Sequence, residues 1–302
     1  MIKDRNIDPG AFIQATKVQG TGITGEVFYV AKSGIQARTW LDGKVPSSNL
    51  FLTIDAAIGK CAASRGDVIY VCPGHTETIS GAGTITADVI GVSIIGLGQG
   101  TLRPIITYSA TASTLLVSAA NVTISNIQFQ NAKDSLVSGI PVSAAGFRLL
   151  GCDFTQPTST DDALIWVITD ASADDMLIQG NTFRQSNAGP TECIRLVGAD
   201  RAKILDNYII GSYSTAAING ITTESLEILI ARNTISNSAT DKLLIDLVAS
   251  CTGRIEYNSG TVVSTGAWAA AAICDAANCQ LAENYVSDAA GETGKLLGTV
   301  SA

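Results

Sequence analysis

Three features of this sequence carry side chains suited to acid-base or metal chemistry. They are the carboxylate pairs Asp161-Asp162 and Asp174-Asp175, the single histidine His75, and the thiols Cys274 and Cys279. General acid-base work needs two groups at a controlled separation with pKa values pushed apart. Asp161 and Asp162 are neighbours within the polar stretch Thr158-Ser-Thr-Asp-Asp162, so a solvated corner is expected of them, and Asp174-Asp175 reads the same way between two apolar runs. His75 follows Pro73-Gly74 and is expected to be a turn residue. Cys274 and Cys279 have no second pair and no histidine near them, so no metal centre is expected. The residues alone therefore assign no catalytic, cofactor-binding or metal-ligating side chain.

What must position any such group is a repeat. The phrase Ile-x-x-Asn-x-aliphatic runs through Ile178–Phe183, Ile204–Ile209 and Ile230–Ile235, and returns at Ile255–Gly260 and Leu281–Val286. Two earlier copies, Ile124–Phe129 and Leu149–Phe154, have Ile127 and Cys152 in the fourth place. The fourth places fall at 127, 152, 181, 207, 233, 258 and 284, at intervals of 25, 29, 26, 26, 25 and 26. A fixed period of this length marks a repeat architecture. Each copy is too short and too β-branched for a helix, so it reads as a strand, a tight corner and the start of a second strand. Asparagine suits such a corner because its amide tolerates left-handed backbone angles. Corners stacked one strand spacing apart would let the amides bond in a ladder. The expected fold is all-β: a right-handed parallel β-helix, a solenoid of coils about 26 residues long.

Composition agrees. The 302 residues are 46% hydrophobic and 15% charged, enough apolar content for a sizeable core in one solenoid domain. A net charge of −8 argues against nucleic acid as partner. No apolar run approaches the ~20 residues of a membrane span, so no membrane partner is expected. Nor does an apolar segment follow Met1-Ile-Lys-Asp-Arg5, so no secretion signal is expected. Seven cysteines without metal-like spacing point to buried free thiols made in a reducing cytosol.

In chain order, residues 1–49 read as an N-terminal arm and a first strand, and 50–302 as the single β-helix domain. The arm carries Ile7, Phe12, Ile13 and Val18 with no repeat to bury them, which suggests ordering against a partner. Gly25–Ala31 alternates like a strand, and 32–50 reads as a polar loop holding Trp40 and Pro46. Phe51, Ile54, Ile58 and Cys61 fall at helical spacing with Thr53 as N-cap, predicting a helix over 51–64. It would cap the open apolar end of the first coil. The tail, Gly294–Val300, reads as a last strand or a contact strand for a neighbour.

Thr53–Ile58 followed by Gly66–Gly74 resembles the opening of the pectate-lyase-like superfamily of single-stranded right-handed β-helices, and the Asn-bearing phrases resemble its coils. That fold hosts lyases, hydrolases, phage tailspikes and inert structural proteins. The superfamily's lyases use calcium-binding acids and an arginine base. Its hydrolases carry Asn-Thr-Asp, Asp-Asp, Gly-His-Gly and Arg-x-Lys in successive coils, and Asn-Thr-Asp and Gly-His-Gly are missing here. The chain also resembles β-helix proteins of tailed-bacteriophage particles in Asp4–Pro9 and in the strand Gly25–Val30 placed before the cap. This resemblance implies a non-catalytic structural virion protein, a capsid decoration, head spike or tail-associated subunit assembled in the host cytoplasm. It implies docking on other virion proteins through the arm, and a homotrimer. The alternatives are a phage-borne polysaccharide depolymerase or lyase, marked by facing carboxylates, and a module binding a glycan on its exposed face. An exposed row among Trp166, Trp268, Tyr208 and Tyr285 would mark the last.

Overall fold

The computed structural model describes residues 25–185, 188–263, 265, 274–276, 278–288 and 295–297. Short strands pair in parallel with the equivalent strand one coil away, building three long sheets of 11, ten and eight strands. We call them A, B and C. A coil passes through A, B and C in turn, as in Val68–Val71, Thr76–Ile79 and Ile85–Ala87. The result is the expected right-handed parallel β-helix with the pectate-lyase-like architecture. No helix among the described residues is long and apolar enough to cross a membrane.

The first place of the repeated phrase is the inner column of sheet A. Ile124, Leu149, Ile178, Ile204, Ile230, Ile255 and Leu281 are in register, and the column continues back through Ile94 and Ile69 to Phe28. All are buried, because alternation in each strand sends them to the interior. The sixth place is the inner column of sheet B. There Phe129, Phe154 and Phe183 stack at centroid distances of 4.9 and 4.3 Å, and Trp166 meets Phe154 edge-on at 5.0 Å. Gly139 makes room for that indole, since a Cβ there would lie 2.8 Å from a Trp166 ring carbon.

The corner between A and B is held by the asparagines. Asn181, Asn207, Asn233, Asn258 and Asn284 are buried in one line, and each of the first four donates its backbone N–H and its Nδ2–H to the Oδ1 of the next at 2.9–3.0 Å. Cys152 joins the end of the ladder through its backbone N–H, 2.8 Å from Asn181 Oδ1. One expectation is corrected. The left-handed residue is not the asparagine but the residue before it: Asn126, Gly151, Gly180, Asp206, Arg232, Tyr257 and Glu283 have φ between 50° and 67°. The asparagine is selected by its bonding capacity rather than by backbone tolerance.

The cap is a helix, shorter than expected. A first helix, α1, spans Gln36–Leu41 inside the stretch read as a polar loop, and packs Leu41 with Val45, Leu50, Ala31 and Cys72. The capping helix, α2, spans Ile54–Ile58 rather than 51–64, because the chain leaves helical bonding at Gly59. Thr53 is its N-cap, accepting from the Ala56 N–H at 3.3 Å. Ile54, Ala57 and Ile58 face the coil interior. Glu77 accepts from the Ile54 N–H and Asp55 from the Thr86 N–H, tying α2 to sheets B and C. Strand Val27–Val30 pairs with Val68–Val71 and with Leu50–Phe51, so it forms part of the capped end of sheet A. The expected arm, residues 1–24, lies outside the described residues, as do Trp268 and most of the tail.

Candidate functional site

The outer faces of the sheets are where chemistry could occur, because the interior is filled. Pairing places Ile168, Arg195, Asn219, Asp246 and Asp275 in one outward column of sheet C. Glu192 sits beside this column and is 2% exposed. Arg195 holds it with two bonds, Nε to Oε2 at 2.5 Å and Nη2 to Oε1 at 2.9 Å, and Asn219 Nδ2 donates to the same Oε1 at 2.8 Å. The buried charge is thereby paired and bonded, as burial of a carboxylate demands.

Asp246 lies one strand beyond Asn219. Burial pushes its carboxyl up from the ordinary value, and the negative charges of Asp275 and Glu192 add to the shift. Asp275 is its exposed partner on the next strand, with Cα atoms about 4.8 Å apart as for any neighbouring strands. Two carboxyls on adjacent strands, the half-buried one shifted upward, are a candidate acid-base pair. Arg195, by contrast, is committed to Glu192, and a guanidinium keeps its proton. The column therefore favours carboxylate chemistry over an arginine base.

The residues singled out from the sequence go elsewhere. Asp161 is half-buried and accepts from Thr158 Oγ1 at 2.7 Å. Asp162 is not solvated as expected but 2% exposed, accepting from the Ser135 N–H at 2.5 Å. Its carboxyl is raised by burial and by Asp134, which bonds to it and repels its charge. The reason is local: the corner folds back so that the Gly189 backbone covers the carboxylate, where a Cβ would collide with Oδ2. Asp174 and Asp175 both pair with Arg201, at 3.1 and 2.8 Å, one coil on. His75 is buried after its turn, with Nδ1 accepting from the Lys32 N–H at 3.0 Å and Nε2 3.2 Å from Glu77.

Cys152, Cys193, Cys251 and Cys279 are buried free thiols, and burial pushes Cys152 up to about 12 and Cys279 to about 11. Among the described residues no group of three or more His, Cys, Asp or Glu side chains is placed to hold a metal ion. Of the four aromatics whose exposure in a row would mark a glycan-binding module, Trp166 is fully buried in the core. Tyr208 and Tyr285 are 42% and 54% exposed and share one outward column of sheet B.

Comparison with known proteins gives a likeness of fold. No protein-family profile matches the chain, and no curated protein matches it. Among solved structures it is similar to an alginate lyase from Paenibacillus sp. str. FPU-7, with 14% identity over 86% of this chain and 99% of that one and a TM-score of 0.50. A rhamnogalacturonan lyase aligns with 12% identity over 79% of this chain and 74% of that one, at a TM-score of 0.46. The likeness to the alginate lyase is one of fold, the pectate-lyase-like parallel β-helix.

Proposed function

We propose that this chain is a structural protein of a tailed-bacteriophage particle, a capsid decoration, head spike or tail-associated subunit that stands out as a rod. The observation that supports this most is where the chain enters the fold. Gly25 leads directly into Val27–Val30, at the end of sheet A that α2 closes. Residues 1–24 are thus joined to the capped end of a solenoid roughly 50 Å long, given eleven strands at ~4.8 Å spacing. Attachment by one end leaves all three faces free, as a projecting subunit requires. The resemblance of Asp4–Pro9 to such virion proteins adds to the reading. On it, the arm binds other virion proteins, assembly occurs in the host cytoplasm, and three rods pack side by side.

Deleting residues 1–24 tests this. The truncated protein should keep its melting temperature and no longer join particles. Full decoration by the truncated protein, or its unfolding, refutes the docking role.

The Asp246–Asp275 pair favours a second reading, a polysaccharide depolymerase working along sheet C. Incubation with alginate, pectin and neutral polysaccharides separates the two. The structural reading expects no new reducing ends and no unsaturated products. Cleavage that disappears in Asp246→Asn would establish the second.

A further inference from the structure

Sheet B carries a shallow trough that neither reading uses. Tyr208, Thr234, Ser259 and Tyr285 follow one another in register along its outer face. Two residues along each strand, Ile210, Ser236, Thr261 and Ser287 form a second column. Together they line a depression of about 490 Å³. The tyrosines stand three strand steps apart, roughly 14 Å at the usual spacing. Between them the lining mixes Ser and Thr hydroxyls with apolar Ile235, Gly260 and Val286. Thr234 and Ser259 lie 3.4 Å apart, and Thr261 and Ser287 3.1 Å apart, so each pair forms a unit able to donate and accept.

Among the described residues no charged side chain lines the trough. The nearest carboxylate in the bonding network is Glu283, which accepts from the Tyr285 hydroxyl at 3.2 Å and orients that ring. Its charge opposes an anionic ligand at this end.

We propose that this trough binds a linear neutral oligosaccharide lying along the solenoid axis. A pyranose ring has one face of C–H groups, which packs on an exposed aromatic ring, and a rim of hydroxyls. Tyr208 and Tyr285 supply two such rings at the ends, and the Ser and Thr hydroxyls supply exchangeable donors and acceptors between them. The open floor admits a chain rather than a single enclosed sugar. Uronates are disfavoured by Glu283 and by the net charge of −8. The site does not depend on the virion reading, and it lies on a different sheet from the Asp246 column.

Isothermal titration of the full chain with maltohexaose, cellohexaose, laminarihexaose and chitohexaose tests the proposal, with hexagalacturonate as the acidic control. At least one neutral hexaose should bind with a millimolar or tighter Kd, and hexagalacturonate more weakly. Tyr208→Ala and Tyr285→Ala should each weaken that binding by about tenfold or more, equivalent to ~1.4 kcal/mol. Tyr257→Ala, exposed but at the A–B corner, should leave it unchanged. In the wild-type protein, amide shifts on binding should centre on Thr234, Ser236, Ser259 and Thr261, a readout independent of the variants. No binding by any neutral hexaose, tighter binding of hexagalacturonate, unchanged affinity in either tyrosine variant, or shifts centred elsewhere overturns the proposal.

Discussion

Asn233 donates both its backbone N–H and its side-chain N–H to the single Oδ1 of Asn258, each at 2.9 Å. It also receives both donors of Asn207 on its own Oδ1, at 3.0 Å each. One side chain thus completes the bonding of the corner above and of the corner below. Asn233→Leu removes that acceptor and leaves two Asn207 donors buried without it. It should cost about 1–3 kcal/mol, read as a lower melting temperature in thermal unfolding. An unchanged melting temperature would show that the ladder contributes nothing to stability.

The aromatic stack on the inner face of sheet B should be at least as sensitive. Phe154 lies between Phe129 and Phe183 and meets Trp166 on its edge. Phe154→Ala opens a cavity bounded by three rings that cannot all move inward. The loss should be about 3–5 kcal/mol, measured by chemical denaturation with an unchanged m-value.

A stabilising change is expected nearby. Tyr108 is fully buried, and its hydroxyl has no hydrogen-bond partner among the described residues. Burial raises its pKa strongly, which keeps it neutral. Tyr108→Phe removes a desolvated polar atom and keeps the ring contacts with Phe129 and Trp166. The variant should gain about 1 kcal/mol in the same denaturation experiment. A loss would indicate a bonded hydroxyl.

Stability should respond to pH in opposite senses at two buried aspartates. Burial alone would raise Asp67, but its bonds to Arg65 and to the Ala62 and Glu26 N–H groups bring it below the ordinary value. Its stabilisation is present above the unfolded pKa of about 4 and is lost as pH falls through the lower folded value. Asp162 is raised, so its protonated form is the one folding favours. That contribution is complete below the unfolded value and disappears as pH rises through the folded one. Asp162→Asn should flatten the loss on the alkaline side of that step. Asp67→Asn should weaken the protein at neutral pH and flatten the acid side. Melting temperatures measured from pH 3 to pH 8 check both.

The coils were legible in the sequence because a ladder needs the same residue at the same corner every turn. The Asn column, the aliphatic column before it and the Thr53 cap follow directly from spacing. Sheet C was not legible as a site. Its strands begin at different distances from the preceding corner, so Arg195, Asn219, Asp246 and Asp275 occupy no constant place relative to the ladder asparagines. Only register brings them together. Asp162 misled for a related reason: adjacent acids read as solvated, whereas the Gly189 backbone folds over one of them. α1 was hidden by a polar composition in which Leu41 alone of the helix is buried. Tyr208 and Tyr285 were visible individually. Their alignment follows from the constant coil length between 207 and 284, and Trp166 did not join them because it lies in the packed wall beside Phe154.

The left-handed seat before each ladder asparagine separates two tasks that one residue usually performs together. Backbone direction is set there, while cohesion is set one residue later, inside. The side chain on the seat therefore answers to neither, and in this chain it is Gly, Asp, Arg, Tyr or Glu, exposed from Gly151 onward. Along the solenoid these seats form a straight row of addressable positions, one every ~4.8 Å. Cysteines introduced at Gly180, Asp206, Arg232, Tyr257 and Glu283 would place labels or cargo at molecular-ruler spacing on a scaffold whose interior is left untouched.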